Sequence, residues 1–132
     1  VLTRNECINL YYAIRDIKSG GMSKDGLIAY IMLRLKLKDV AEQFNVVRQE
    51  VAEQTKPQDW NEGDSTEEWD KAFAPVMNAW LQEATDIDSH ILTIEDCAAL
   101  MQANPDMSGG QLDVVVESLM KPTQIKSPDD KK

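Results

Sequence analysis

Residues 86–97 read Asp-Ile-Asp-Ser-His-Ile-Leu-Thr-Ile-Glu-Asp-Cys, and their spacing poses a chemical question. Alternating aspartates opening a twelve-residue stretch suggest a calcium loop, which needs oxygen ligands at positions 1, 3 and 5, glycine at 6 and a bidentate glutamate at 12. Asp86 and Asp88 meet the first two requirements. His90, Ile91 and Cys97 occupy positions 5, 6 and 12, so the tight turn and the best ligand are both missing. The stretch reads as a connector whose Ile87, Ile91 and Leu92 turn into the core, with a short edge strand over 90–94 as the alternative.

Other chemistry fails on similar grounds. The two glycines of "GMSKDGLI" stand at a phosphate-loop interval, but Leu27 and Ile28 replace the lysine and hydroxyl that would hold phosphate and magnesium. His90 is the single histidine, so any imidazole mechanism, and any ligand pocket for an enzyme, would depend on it. Cys7 and Cys97 occupy apolar positions of helical stretches and are expected as buried thiols rather than as a disulfide, a nucleophile or zinc ligands. The carboxylates between Asp59 and Asp70 lie in a polar loop, where nothing shields them enough to shift their acidity for general acid–base work. No catalytic residue, metal or cofactor is expected.

The elements that position these residues are helices. Thr3 and Glu6 form a capping-box pattern ahead of Cys7, Leu10, Ile14 and Ile17, which line one helical face before "SGGM" stops it. From Lys24 to Gln54 no proline intervenes. Tyr30, Leu33, Leu37, Val40, Phe44, Val47 and Val51 alternate spacings of three and four, a heptad seam on a helix roughly 46 Å long. Pro57 ends it. A second capping box at Ser65–Glu68 opens a third helix through about Ala84, striped by Trp69, Phe73, Val76 and Trp80, with Pro75 inside. Thr93 and Asp96 cap a fourth helix to about Ala103, burying Ile94, Cys97 and Met101. Ser108 and Gln111 cap a fifth, carrying Leu112, Val115, Val116 and Leu119. The fold expected is all-α: an antiparallel helical bundle with one long central helix, a short N-terminal helix, a Trp-rich third helix and two short C-terminal ones. One domain over 1–121 and a disordered tail over 122–132 complete the expectation.

Charge divides unevenly. Residues 1–56 carry nine Lys and Arg against seven Asp and Glu, whereas residues 57–132 carry five against sixteen, giving the net −9. That balance argues against nucleic-acid binding, which needs clustered cations. The longest apolar run, "LIAYIML", is too short for a membrane helix, and the start lacks a signal-peptide pattern, so a cytoplasmic protein is expected. Two constellations remain as partner-binding candidates. Of Arg34, Lys36, Lys38 and Arg48, the residues Arg34, Lys38 and Arg48 fall outside the seam and give the long helix a positive flank, which either pairs with the chain's own acids or docks an acidic partner or the acidic loop of a second copy. Trp60 lies outside the helical stripes, either folded back or an interface anchor. Self-association through the long helix, giving a homo-oligomer, is the companion expectation.

The segments "LTRNECINLYYAIRDI", "FNVVRQEV" and "FAPVMNAWLQEATDID", in this order, resemble a group of small uncharacterised bacteriophage proteins. Phe44 and Arg48 match that group's F-x-x-x-R motif, and Phe73, Asp86 and Asp88 its later part; the loop 56–68 and "MSGGQ" fall outside the match. The resemblance implies a phage or prophage origin and an accessory or assembly role, and carries no catalytic residue with it.

Overall fold

A computed structural model of the chain describes residues 1–122. The expected tail lies, from residue 123 onward, outside the described residues. The secondary structure is all-α: α1 (Arg4–Ile14), α2 (Lys24–Thr55), α3 (Glu67–Gln82), α4 (Ile94–Ala103) and α5 (Gly109–Val114), the last widening into a π-helical turn over Val115–Leu119. Among the described residues the only strand-like features are the isolated bridges Thr3–Ala84 and Leu92–Met120. The short strand considered at 90–94 is therefore reduced to a single bridge.

Two compact units are built from interleaved segments, one from residues 1–12 and 34–87, the other from 13–33 and from 88 onward. In the first, the buried side chains are Cys7, Ile8, Leu10, Leu37, Val40, Ala41, Met77 and Ile87. The N-terminal capping box forms in full: the Thr3 amide donates to Glu6 Oε1 (2.9 Å) and the Glu6 amide to Thr3 Oγ1 (3.2 Å). Residue Leu2 is tied to the segment after α3, its amide donating to the Ile87 carbonyl and its carbonyl accepting from the Thr85 amide. Phe44 packs at 6.2 Å on Trp80, and Trp69 Nε1 donates to the Ala52 carbonyl at 2.9 Å.

The second unit buries Ile14, Ile17, Tyr30, Leu33, Leu92, Cys97, Leu100, Val115 and Leu119. Tyr30 reaches into it with its hydroxyl donating to the carbonyls of Ile14, the last residue of α1, and of Ile17 in the turn that follows (3.3 and 3.2 Å). Asn104 does a similar job for the following turn. Its side-chain carbonyl accepts from the Lys18 amide (2.8 Å), while its Nδ2 donates to the carbonyls of Lys18 (2.7 Å) and Leu100 (2.8 Å).

Three sequence expectations need correction. The Ser65–Glu68 box does not form: Ser65 Oγ accepts from the Glu67 amide, and the Thr66 hydroxyl donates to Asp70 one turn later. Val76 is exposed, and Met77 is the buried member of α3, because the stripe runs Trp69, Phe73, Met77, Trp80 rather than through Val76. In α4, Ile94 is exposed, and Leu100 joins Cys97 at full burial while Met101 is only half-buried.

Candidate functional site

The long helix decides what surfaces the protein offers. Residues Tyr30, Leu33, Leu37 and Val40 of the heptad seam are buried within the chain itself, and Phe44 is engaged by Trp80. The seam is thus used internally from Tyr30 to Phe44, while Val47 and Val51 further along it are half-buried. A different face is left open. Ile28, Ile31, Met32 and Leu35 are 51%, 42%, 49% and 56% exposed, at successive spacings of three, one and three. At about 100° per residue these four cluster on one side of α2, roughly opposite the buried seam. So α2 is apolar on two faces over this stretch, and one of them has no cover among the described residues. Scattered exposed apolar residues are ordinary, but four adjacent ones on a single helical face make a patch.

Charged residues border the patch. Lys24 and Asp39 lie near its midline one turn beyond each end, with Asp25, Lys36 and Lys38 on its flanks. Lys38 leans to Glu42 at 3.9 Å, an exposed i,i+4 pair of small energetic value. Arg34, the first of the expected partner-binding cations, is half-buried and already engaged.

Arg48 and Trp60 stand elsewhere, at the far end of α2 in the first unit. Trp60 folds back: its Nε1 donates to the Ser65 carbonyl (3.1 Å), its ring meets Trp69 edge-on at 5.0 Å, and Lys56 Nζ sits 5.3 Å from its ring centre. Next to this cluster, Arg48, Gln49, Ala52, Thr66, Trp69 and Phe73 line an open groove of about 450 Å³. Arg48 places its guanidinium 5.8 Å from the Phe44 ring. The structure therefore brings Arg48, Trp60 and Trp69 to one end of the helix and leaves Lys38 beside the apolar patch.

His90 is exposed and its Nδ1–H donates to the Met120 carbonyl at 3.0 Å. Burial pushes the Cys97 thiol up to about 11, with Asp96 nearby adding to the shift, and burial also raises the Cys7 thiol. Asp86 and Asp88 are exposed, and no group of three or more His, Cys, Asp or Glu side chains comes together to hold a metal among the described residues. A cleft of about 250 Å³ between residues 16–18 and 103–111 is framed by Asn104 and Gln111, whose amides are spent on backbone carbonyls.

Asp96 is the polar group sequence reading passed over. It is 3% exposed, yet it holds its charge. Burial alone would raise its pKa, but this is outweighed by hydrogen bonds from the Ser23 amide (2.7 Å) and hydroxyl (2.9 Å) and from Thr93, with Lys121 nearby, so its carboxyl lies below the ordinary carboxylate value. Ser23 Oγ in turn accepts from the Gly26 amide, which makes Ser23 the cap of α2. Asp96 thus fixes where the long helix begins. The sequence signal was Thr93-x-x-Asp96, which points only to a local cap.

Comparison with protein-family models, with curated proteins and with solved structures returns no match. Among the described residues no helix is long and apolar enough to cross a membrane.

Proposed function

We propose that this protein is a non-enzymatic helical interaction protein that assembles through α2. The observation carrying the reading is the exposed patch Ile28, Ile31, Met32 and Leu35, opposite a face of the same helix that is already buried. Covering it removes apolar surface from water at about 25 cal/mol per Å², and the helix that presents it is anchored at its start by Ser23 and Asp96. The surrounding fold is an antiparallel bundle in this reading, supported by the pairing of Phe44 with Trp80 and of Ala52 with Trp69, in which α3 retraces α2. An accessory or assembly role in a phage particle or prophage suits the resemblance noted above. The test is the absolute mass in solution by light scattering over a hundredfold range of concentration. Assembly predicts a mass rising from 14.9 kDa towards a multiple of it, and a constant 14.9 kDa would sink the reading.

A second reading, an acidic module that inhibits or adapts a host protein, is favoured by the groove beside Trp69 and Phe73 with Arg48 at its rim. It predicts a monomer that retains one specific protein, with retention lost in Trp69→Ala and Arg48→Ala.

A further inference from the structure

We infer that Trp60 and Trp69 form a binding corner for a methylated ammonium group, with Lys56 as its resident occupant. The two indoles meet edge-on, at 66° and 5.0 Å between ring centres. Each is locked by its own N–H, which donates to a backbone carbonyl: Trp60 to Ser65 (3.1 Å) and Trp69 to Ala52 (2.9 Å). The corner is thus set before any ligand arrives, and binding does not have to order the rings. It already holds a cation. Lys56 Nζ stands over both rings, 5.3 Å from the centre of Trp60 and 5.9 Å from that of Trp69, within the range of cation–π attraction. The loop around it is acidic: Pro57 to Asp70 carry six Asp and Glu and no Lys or Arg. Amid these acids, and among the described residues, the ammonium is met by the rings and not by a carboxylate. Distance selects the class of cation. A carbon touching a ring lies about 3.5–4.0 Å from it, and an N–C bond adds about 1.5 Å, so the nitrogen of a methylated ammonium stands about 5.0–5.5 Å off. The Lys56 nitrogen lies at or just beyond that spacing, which leaves room for a methyl group between charge and ring. A bare ammonium is also strongly hydrated, and methylation removes that competition from water. Lys56 is exposed, one residue beyond α2, on a flexible stem, so it can leave the corner for solvent at little cost.

The test is a titration of the full chain with tetramethylammonium chloride, followed by the indole N–H signals in NMR, with sodium chloride holding the ionic strength constant. Wild type should show saturable shifts of the Trp60 and Trp69 signals with a Kd on the order of 10 mM. Trp80, whose ring is met by Arg4 and Phe44, is the internal reference and should stay in place. Lys56→Ala vacates the corner without releasing the rings, and should bind the same probe about fivefold more tightly. Trp60→Leu in that background removes one wall and should abolish saturation. A short peptide bearing trimethyllysine, beside the same peptide with unmodified lysine, tells the source of the group. A methyl-dependent gain over tetramethylammonium means a protein-borne group, and parity means a free one. Absence of saturable shifts at Trp60 and Trp69 in Lys56→Ala would overturn the proposal, as would weaker binding there than in wild type. An equal response to ammonium chloride would overturn it too, because the acids of the loop and not the rings would then hold the cation.

Discussion

A buried carboxylate, Asp96, is closely packed against the start of α2. It approaches the helix so closely that a Cβ on Gly26 would collide with its Oδ2. The glycine is needed for room, not for backbone freedom, and Gly26→Ala must push Asp96 away from Ser23. Losing hydrogen bonds to a buried charge costs roughly 1.5–3 kcal/mol, so chemical denaturation of Gly26→Ala should show a loss of about that size. Gly26→Ala combined with Asp96→Ala should cost less than the sum of the two, because the second change removes the obstacle. The same carboxylate gives a pH dependence. Its folded pKa is depressed, so its stabilisation is complete above the ordinary carboxylate value near 4 and fades as pH falls through the lower folded value. Stability measured between pH 6 and pH 3 should decline at the acid end, and Asp96→Asn should flatten that decline. None of this could be read from sequence, where Gly26 looks like a weak point in a helix and Asp96 like a local cap; the tie between them joins residues 73 positions apart. The thiols are simpler. Burial raises both, so Cys7 and Cys97 should resist alkylation at pH 8 and react only when the chain is unfolded.

At the scale of elements, helix positions were legible because caps and glycines are local signals. Thr3–Glu6 and Ser108–Gln111 form the reciprocal boxes their spacing calls for, and α2 runs from Lys24 to Thr55 as the absence of proline suggested. Which face each helix turns inward was legible only where one stripe dominates. In α1 and the turn after it the stripe Cys7, Leu10, Ile14, Ile17 is buried throughout. In α2 the heptad seam was evident, but the second apolar face behind it was not, since no stripe was traced through Ile28, Ile31, Met32 and Leu35. In α3 one place separates Val76 from Met77, and the packing of Phe73 and Trp80 decides between them. The two faces of α2 should respond differently to change. Leu37→Ala, on the fully buried face, should cost about 2–5 kcal/mol in denaturation, whereas Met32→Ala should leave stability of the single chain within about 0.5 kcal/mol.

For the whole molecule, charge and apolar surface set opposing tendencies. A net charge of −9 disfavours the close approach of two copies, and raising the salt concentration screens that repulsion. Apolar contact at the patch is what must decide between them. The measurement that addresses this most directly is the solution mass of Leu35→Glu beside that of Val76→Glu, each over the concentration range in which wild type is examined. Leu35 and Val76 are 56% and 47% exposed, so neither change disturbs the core, but Leu35 belongs to the α2 patch and Val76 does not. The account predicts that Val76→Glu associates like wild type while Leu35→Glu remains at 14.9 kDa throughout. Association surviving unchanged in Leu35→Glu would contradict it.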